Sequence, residues 1–356
     1  RITQPTGIPL NLPEETKNDE HPVTLGLQAM HGAAALSLLA APFGDGPMDH
    51  AVAALWSGME SCSWLTHMPL FEASVAVSAF VVWIAFFESI HLWLPSAQEW
   101  RLDRQHPIRP LHGYTKEWHK TVVPAVTYLL SIHLYQVAGL PQLIFWPDGI
   151  KPIFEEAPSF FRVITEVSMG VVLYDLLFYP FHYSFHASKN KSWRDQHVRH
   201  HRWGGEERAA HNAVETVQNS YLDAGIQVSI NIFVQHLSPW GFAHKHPLSR
   251  VLHNLMVTYL LSEAHSGYNL PFQSHKLFPK IFGGAPRHEE HHQRGSTCYH
   301  QFFMYLDDLR GCGPKAVKPE EAATTTATAE EEEAATLTTP AALWSATRWT
   351  KAEEEA

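Results

Sequence analysis

Residues 121–147 run for 27 positions without an aspartate, glutamate, lysine or arginine. A helix needs about 20 apolar residues to cross a bilayer, so this stretch is long enough to do so. Other segments repeat the pattern. Residues 73–87 are uncharged, and the apolar stretch continues past Glu88 and His91 to Leu94. Residues 224–244 are uncharged and reach a Ser238-Pro-Trp-Gly241 turn, while 163–181 are interrupted only by Glu166 and Asp175. Residues 251–262 are shorter and read as the returning arm of a hairpin. Residues 23–44 lack charge but contain Gln28 and His31, which leaves them a further candidate span. Several such runs in one chain predict an all-α fold: a polytopic membrane bundle of four to six spans with a cytoplasmic histidine-rich cap. The competing reading is a soluble helical protein with unusually apolar core helices.

Loop charge orients the spans. Residues 187–212 carry six bases against three acids and residues 95–120 five against three, whereas 45–69 carry three acids and no base. Basic loops stay cytoplasmic. Spans at 71–94, 121–147, 163–181, 224–243 and 251–262 then leave 95–120, 182–219 and everything after 263 on the cytoplasmic face. The chain divides into an N-terminal region 1–69, a membrane domain 70–312 and a tail 313–356. That tail holds nine acids and four bases, half of the formal net charge of −10, and its Ala/Thr/Glu composition predicts disorder. No basic excess is available to neutralise phosphates, which argues against nucleic acid as a partner. Three cysteines without a CxxC exclude a disulfide scaffold and a thiolate zinc site. With Arg first, the sequence is expected to be a fragment or processed form, and no targeting signal can be read from it.

Histidine is the other anomaly, with 25 residues. Eight of them fall into three boxes: His182-Tyr-Ser-Phe-His186, His197-Val-Arg-His200-His201 and His288-Glu-Glu-His291-His292. Spacings of three and four place side chains on one helical face. All three boxes lie on the predicted cytoplasmic face. Imidazole suits iron, zinc and copper, and eight ligands exceed what one ion takes, so two metals are expected. The carboxylate-bridged scheme of soluble di-iron bundles finds ExxH spacings at Glu88/His91 and Glu289/His292 but leaves two HxxHH boxes unused. The lone histidines His21, His50, His67, His106, His119, His133, His236 and His300 read as ordinary polar or interfacial residues.

HxxxH, HxxHH eleven residues later and a third HxxHH about ninety residues on resemble the fatty acid hydroxylase/sterol desaturase superfamily. Glu263-Ala-His265-Ser-Gly-Tyr-Asn269-Leu-Pro271 is similar to a segment of sterol C-4 methyl oxidases and related sterol hydroxylases. His211-Asn-Ala-Val-Glu215 resembles their His-Pro-x-x-Glu, with Asn212 in place of Pro. The resemblance covers about residues 70–311. It implies that His182, His186, His197, His200, His201, His265, His288, His291 and His292 bind two non-haem Fe ions. His211 and Asn269 are candidates for a further ligand or an outer partner. Asp175, seven residues before His182 on the same helix face, is expected to orient a ligand imidazole. After the third box the chain departs from the family, reading Phe303-Met-Tyr-Leu-Asp-Asp308-Leu-Arg-Gly311.

Carried to function, the resemblance implies an O2-dependent oxidoreductase, a monooxygenase or desaturase of a sterol, C-4 methyl oxidase-like, in lipid biosynthesis. A fatty-acyl substrate is the alternative. No haem, flavin or nicotinamide motif occurs, so electrons are expected from cytochrome b5 and its NAD(P)H reductase. The expected location is the endoplasmic reticulum membrane, with a plastid membrane as the alternative. A metal transporter, which would line mid-span paths with histidine, and an inactive descendant of the enzymes are the remaining readings.

Overall fold

A computed structural model describes residues 46–104, 106, 119–147, 154–198, 200–202 and 210–313. The candidate span at 23–44 and residues 314–356 of the acidic tail lie outside them. The long apolar runs form helices, though not always with the expected ends. Helix α1 (Pro47–Ser61) precedes α2 (Phe71–Trp93). Within α2, Phe71–Ile90 is the one described helical stretch long and apolar enough by itself to cross a bilayer. The expected single span at 121–147 is instead two helices, α3 (His119–Val137) and α4 (Leu140–Phe145). Gly139 sits between them in the left-handed region at φ 68°, a conformation that ends helices and suits glycine. Pro141, in the first turn of α4, restarts the chain where its missing N–H costs nothing.

Helix α5 (Phe160–Ala187) is the longest at 28 residues and contains the expected span 163–181. Its N-cap Ser159 accepts a hydrogen bond from the Arg162 amide at 3.2 Å. Because α5 runs on past Phe181, the first histidine box is its C-terminal end rather than a separate segment. Helix α6 (Lys191–Val198) and a short 3-10 turn, His200–Arg202, carry the second box. Helix α7 (Tyr221–Val234) is shorter than the expected 224–243. The chain leaves it to form a small antiparallel hairpin, Leu237–Ser238 against Gly241–Phe242, with the Ser-Pro-Trp-Gly turn as its tip. A proline at the tip and Gly241 at φ 134° are incompatible with continued helix. The mostly helical fold therefore contains two strands that the pattern of apolar runs did not predict. Helix α8 (Pro247–Ala264) is longer than the expected 251–262. His246 caps it, its Nδ1 accepting from the Leu248 amide at 3.2 Å. Helices α9 (Gly284–Arg294) and α10 (Tyr305–Arg310) complete the described chain.

Helices α5, α7 and α8 meet in one core of Val171, Tyr174, Phe178, Ile230, Val234, Val257, Leu260 and Leu261, to which Phe302 adds its ring. Residues three and four apart on each helix supply it, which is the period of an apolar stripe. Helix α2 lies along α8, with Trp83 Nε1 donating to the Leu255 carbonyl at 3.3 Å. Near the start of α2, Glu72 takes a forked pair of bonds from Arg250 at 2.7 and 2.9 Å. This arrangement brings the C-terminal ends of α5 and α8 together with α6 and α9.

Candidate metal centre

Two groups of imidazoles occupy that end of the bundle. His182, His186, His197, His201 and His291 form one, and His200, His265, His288 and His292 the other. Within each group the ligand-capable nitrogens lie within 4.8 Å of one another. The nine histidines singled out in the sequence are thus all brought together. The partition follows helical period. In the second box, His197 and His201 share a face one turn apart and join the first group, while His200 points to the second. In the third box, His288 and His292 share a face and join the second group, while His291 crosses to the first. The groups adjoin, with the His201 and His292 rings stacked at a centroid distance of 4.2 Å.

The hydrogen bonds around the rings decide which nitrogens face inward. His182 Nδ1 lies 2.7 Å from the Tyr299 carbonyl, His291 Nδ1 2.8 Å from that of Thr297, and His265 Nδ1 2.9 Å from that of Leu261. His197 Nδ1 lies 2.7 Å from Asp223 Oδ2. Carbonyls and carboxylates only accept, so each Nδ1 must carry the proton, and a neutral imidazole then presents a bare lone pair on Nε2. Those Nε2 atoms converge: His182 on His197 at 2.9 Å, His201 on His197 at 3.0 Å, His200 on His265 at 3.1 Å and His288 on His265 at 3.0 Å. Lone pairs held this close repel unless a cation lies among them. His186 Nε2 and His291 Nε2 are buried without any hydrogen-bond partner. The donor set therefore fits two metal ions in composition, tautomer and geometry.

Electrostatics agree. Burial, then the neighbouring His197 and His200, pushes His186 down to about 3, and burial, with His197 alongside, does the same for His200. His182, His201, His265, His288, His291 and His292 are held well below the ordinary histidine value, again by burial first and by one another second. They stay neutral and able to ligate across the physiological range.

The three further candidates fare differently. His211 sits behind His292 rather than in either group: its Nε2 is 2.9 Å from His292 Nδ1 and 3.0 Å from Glu215, and its Nδ1 is 3.0 Å from Glu289. Burial opposes a charge there, but Glu289 and Glu215 outweigh it and hold His211 well above its ordinary value. Asn269 touches neither group; its Oδ1 accepts from His275 Nε2 at 2.7 Å. Asp175 does not hold an imidazole as expected. Its carboxylate accepts the backbone amides of Gln301, Phe302 and Phe303 at 2.8, 2.9 and 3.3 Å, because α5 turns it toward the loop that follows the third box.

That loop, with helix α10 behind it, contains groups the sequence reading missed. Asp307 accepts the amides of Tyr299 and His300 at 3.0 Å each, the Tyr179 hydroxyl at 3.0 Å, and His300 Nδ1. His300, read as an ordinary residue, is buried in this clamp. Asp175 and Asp307 together fix residues 299–303 by their amides, and the same loop aims the carbonyls of Thr297 and Tyr299 at His291 and His182. Its acidic pair, Asp307-Asp308, lies in the segment where the chain departs from the family pattern. Asp223, which holds His197, was legible only as the third residue after the helix cap Ser220. Gly267, at φ 72°, brings the backbone after His265 so close to the His211 carbonyl that a Cβ would lie 2.4 Å from it; this is why the His-Ser-Gly-Tyr segment needs glycine.

The description "Fatty acid hydroxylase" matches residues 167–312, the span of all nine histidines. Over that span the chain is similar to the fatty acid hydroxylase superfamily, and the likeness together with the two histidine clusters reads it as a membrane-associated oxidoreductase. Among its relatives, a cholesterol 25-hydroxylase-like protein of Caenorhabditis briggsae is 28% identical over 68% of this chain and 75% of its own length. One from Danio rerio is 28% identical over 51% of this chain and 69% of its own. Cholesterol 25-hydroxylase of Homo sapiens is 22% identical over 72% and 88%. No solved structure matches the chain.

Proposed function

We propose that this chain is a membrane di-iron monooxygenase that inserts one oxygen atom of O2 into a C–H bond of a sterol. The observation that carries it is the convergence of nine imidazoles into two adjoining groups, with the Nδ1 protons of His182, His197, His265 and His291 committed outward. In this reading His182, His186, His197, His201 and His291 hold one iron and His200, His265, His288 and His292 the other. The irons would supply the O2 activation and electron storage that an unactivated C–H bond requires. The protein's own part is to fix ligand tautomers through Asp223 and the 297–303 loop, to exclude water, and to place one carbon of the substrate. The balance is R–H + O2 + 2 e⁻ + 2 H⁺ → R–OH + H2O. Its electrons come from an external donor, for which cytochrome b5 with its NAD(P)H reductase is the proposed source, docking on the basic loops.

The sterol comes from the names of the relatives and from the His265–Pro271 motif. The motif resemblance favours a C-4 methyl group and the relatives' names the C-25 position. Hydroxylation is favoured over desaturation by those names. The polytopic arrangement, with 70–312 as the catalytic unit, rests on the expected spans and on an exposed stripe along α3 of Val122, Val126, Leu130, Leu134 and Val137, which water would penalise and lipid would not. The endoplasmic reticulum is the proposed membrane.

The test is to count metals in the purified chain and to follow O2-dependent products from cholesterol, a C-4-methylated sterol and a fatty-acyl lipid by mass spectrometry. Two irons per chain and a hydroxysterol carrying label from ¹⁸O2 are expected. An active chain with fewer than two metals, or products from the fatty-acyl lipid alone, overturns the reading.

A further inference from the structure

The opposite end of the bundle holds a half-open cavity of about 1030 Å³ between α1, α2, α3, α4, α7 and α8, of the size that takes a drug-sized or larger ligand. It is not an extension of the metal centre. Asn254 on its wall lies on the same helix as His265 but eleven residues earlier, roughly 17 Å at about 1.5 Å per residue. Between them the core of Tyr174, Phe178, Val257, Leu260 and Leu261 is closed.

One wall of the cavity is apolar and aromatic, formed by Trp56, Phe71, Ile132 and Trp146. The facing wall is a set of buried amides with fixed orientation. His253 Nε2 lies 3.1 Å from Asn231 Oδ1, Asn231 Nδ2 donates to Asn254 Oδ1 at 3.1 Å, and Gln235 Nε2 donates to the same Asn254 oxygen at 2.6 Å. Turning Gln235 over would set its carbonyl against the oxygen that already accepts from Asn231. Gln235 must therefore present NH2 to Asn254, which leaves its Oε1 facing elsewhere. That Oε1 is buried without a partner in a side chain 95% buried, and the Tyr135 hydroxyl, which also lines the cavity, is buried without one too. Each such group costs about 1–3 kcal/mol if nothing meets it.

We propose that this chamber is a second lipid site, separate from the metal centre, which holds a neutral lipid by its hydroxyl group. Gln235 Oε1 only accepts, so the ligand must donate; a phosphate or an ester carbonyl cannot. A hydroxyl has what each group lacks, a proton for Gln235 and a lone pair for Tyr135, while the aromatic wall takes the hydrocarbon. Among the charged side chains lining the cavity, Arg250 and Glu72 pair with each other, while Glu60 and Glu155 are exposed carboxylates, which disfavours an anionic ligand. Sterols and long-chain alcohols share this chemistry.

The full chain in lipid nanodiscs is labelled with three photoactivatable probes: a sterol with a free hydroxyl, its methyl ether, and a long-chain alcohol. Cross-links are mapped by peptide mass spectrometry. Free-hydroxyl probes are expected to label residues 128–146 and 231–254. Labelling should fall at least about five-fold for the methyl ether and in Gln235→Leu, the loss of one hydrogen bond, and less in Tyr135→Phe. A His200→Ala/His291→Ala variant should keep it. Whichever of sterol and alcohol labels more strongly identifies the source. Should Gln235→Leu fail to fold, the methyl ether and Tyr135→Phe carry the same test. Equal labelling by sterol and methyl ether overturns the proposal, as does labelling that vanishes with the metal ligands. Binding is read without turnover, so a chain that oxidises no sterol would leave this inference standing.

Discussion

The two ends of the bundle bury polar side chains to the same depth and use them in opposite ways. At the metal end the inward atoms are of one kind: imidazole nitrogens that converge, with the protons of His182, His197, His265 and His291 held outward on Nδ1. At the far end they are mixed. Lys245 Nζ, Ser249 Oγ and Gln235 Oε1 are all buried without hydrogen-bond partners, and they include both donors and acceptors. Convergent lone pairs call for cations; mixed donors and acceptors call for neutral groups. Burial alone does not announce a metal site, and the direction in which the protons point does.

Removing a lone pair at the metal end is the largest perturbation of this contrast. His291→Ala should reduce bound metal from two toward one per chain, measured by mass-spectrometric metal analysis, and should lower turnover by more than about 100-fold, the upper range for outer partners alone. Lys245→Met at the far end should keep two metals. If both variants lose metal equally, the ends are not independent.

Asp223→Asn comes next. It weakens the grip on His197 Nδ1 and should cost about 10–100-fold in metal affinity, in the five-histidine group only, as read by chelator competition. Equal weakening of both sites would show that the groups act as one.

Asp175→Asn should act on the fold of the 301–303 loop. Losing one acceptor oxygen leaves buried amides unmet, a cost of about 1–3 kcal/mol, visible as earlier thermal unfolding in detergent. Metal stoichiometry in the folded fraction should stay at two.

The smallest effect is a pH dependence at the far end. Burial, against the opposing pull of Glu166, pushes Lys245 down to about 7. Between about 7 and the ordinary lysine value of about 10.4, the unfolded chain holds a proton that the folded chain has released. Stability should therefore rise with pH across that window. Thermal unfolding at pH 7 and 9.5 should show the rise, and Lys245→Met should lack it. At the metal end the sign is the same but the window lower: His186 and His200, held near 3, make the metal-free fold lose stability as pH falls from about 6.5 toward 3.

Much of this was readable along the chain because it depends on local period. Spacings of three and four put the members of each box, His182 with His186, His197 with His200 and His201, and His288 with His291 and His292, on one helical face before any fold was known. Long uncharged runs located α2, α5 and α8. Span ends were less legible, since Gly139 and the Ser-Pro-Trp-Gly turn break helices inside runs that hydrophobicity alone joins. Asp175 was visible as a costly buried carboxylate, but its partners were not. They lie 126 to 128 residues away in sequence, and helix period says nothing about which distant loop a side chain meets.

The sequence by itself placed the eight box imidazoles at helical spacings, because the helix repeat is a property of the backbone, and the family resemblance added His265. Only the tertiary structure decided that His200 leaves its box for His265, His288 and His292, that His291 crosses the other way, and that Asp223 and the carbonyls of Thr297 and Tyr299 turn the Nδ1 protons of His197, His291 and His182 outward. Those choices depend on how α5, α6, α8 and α9 pack, which is set by contacts between residues far apart in the chain.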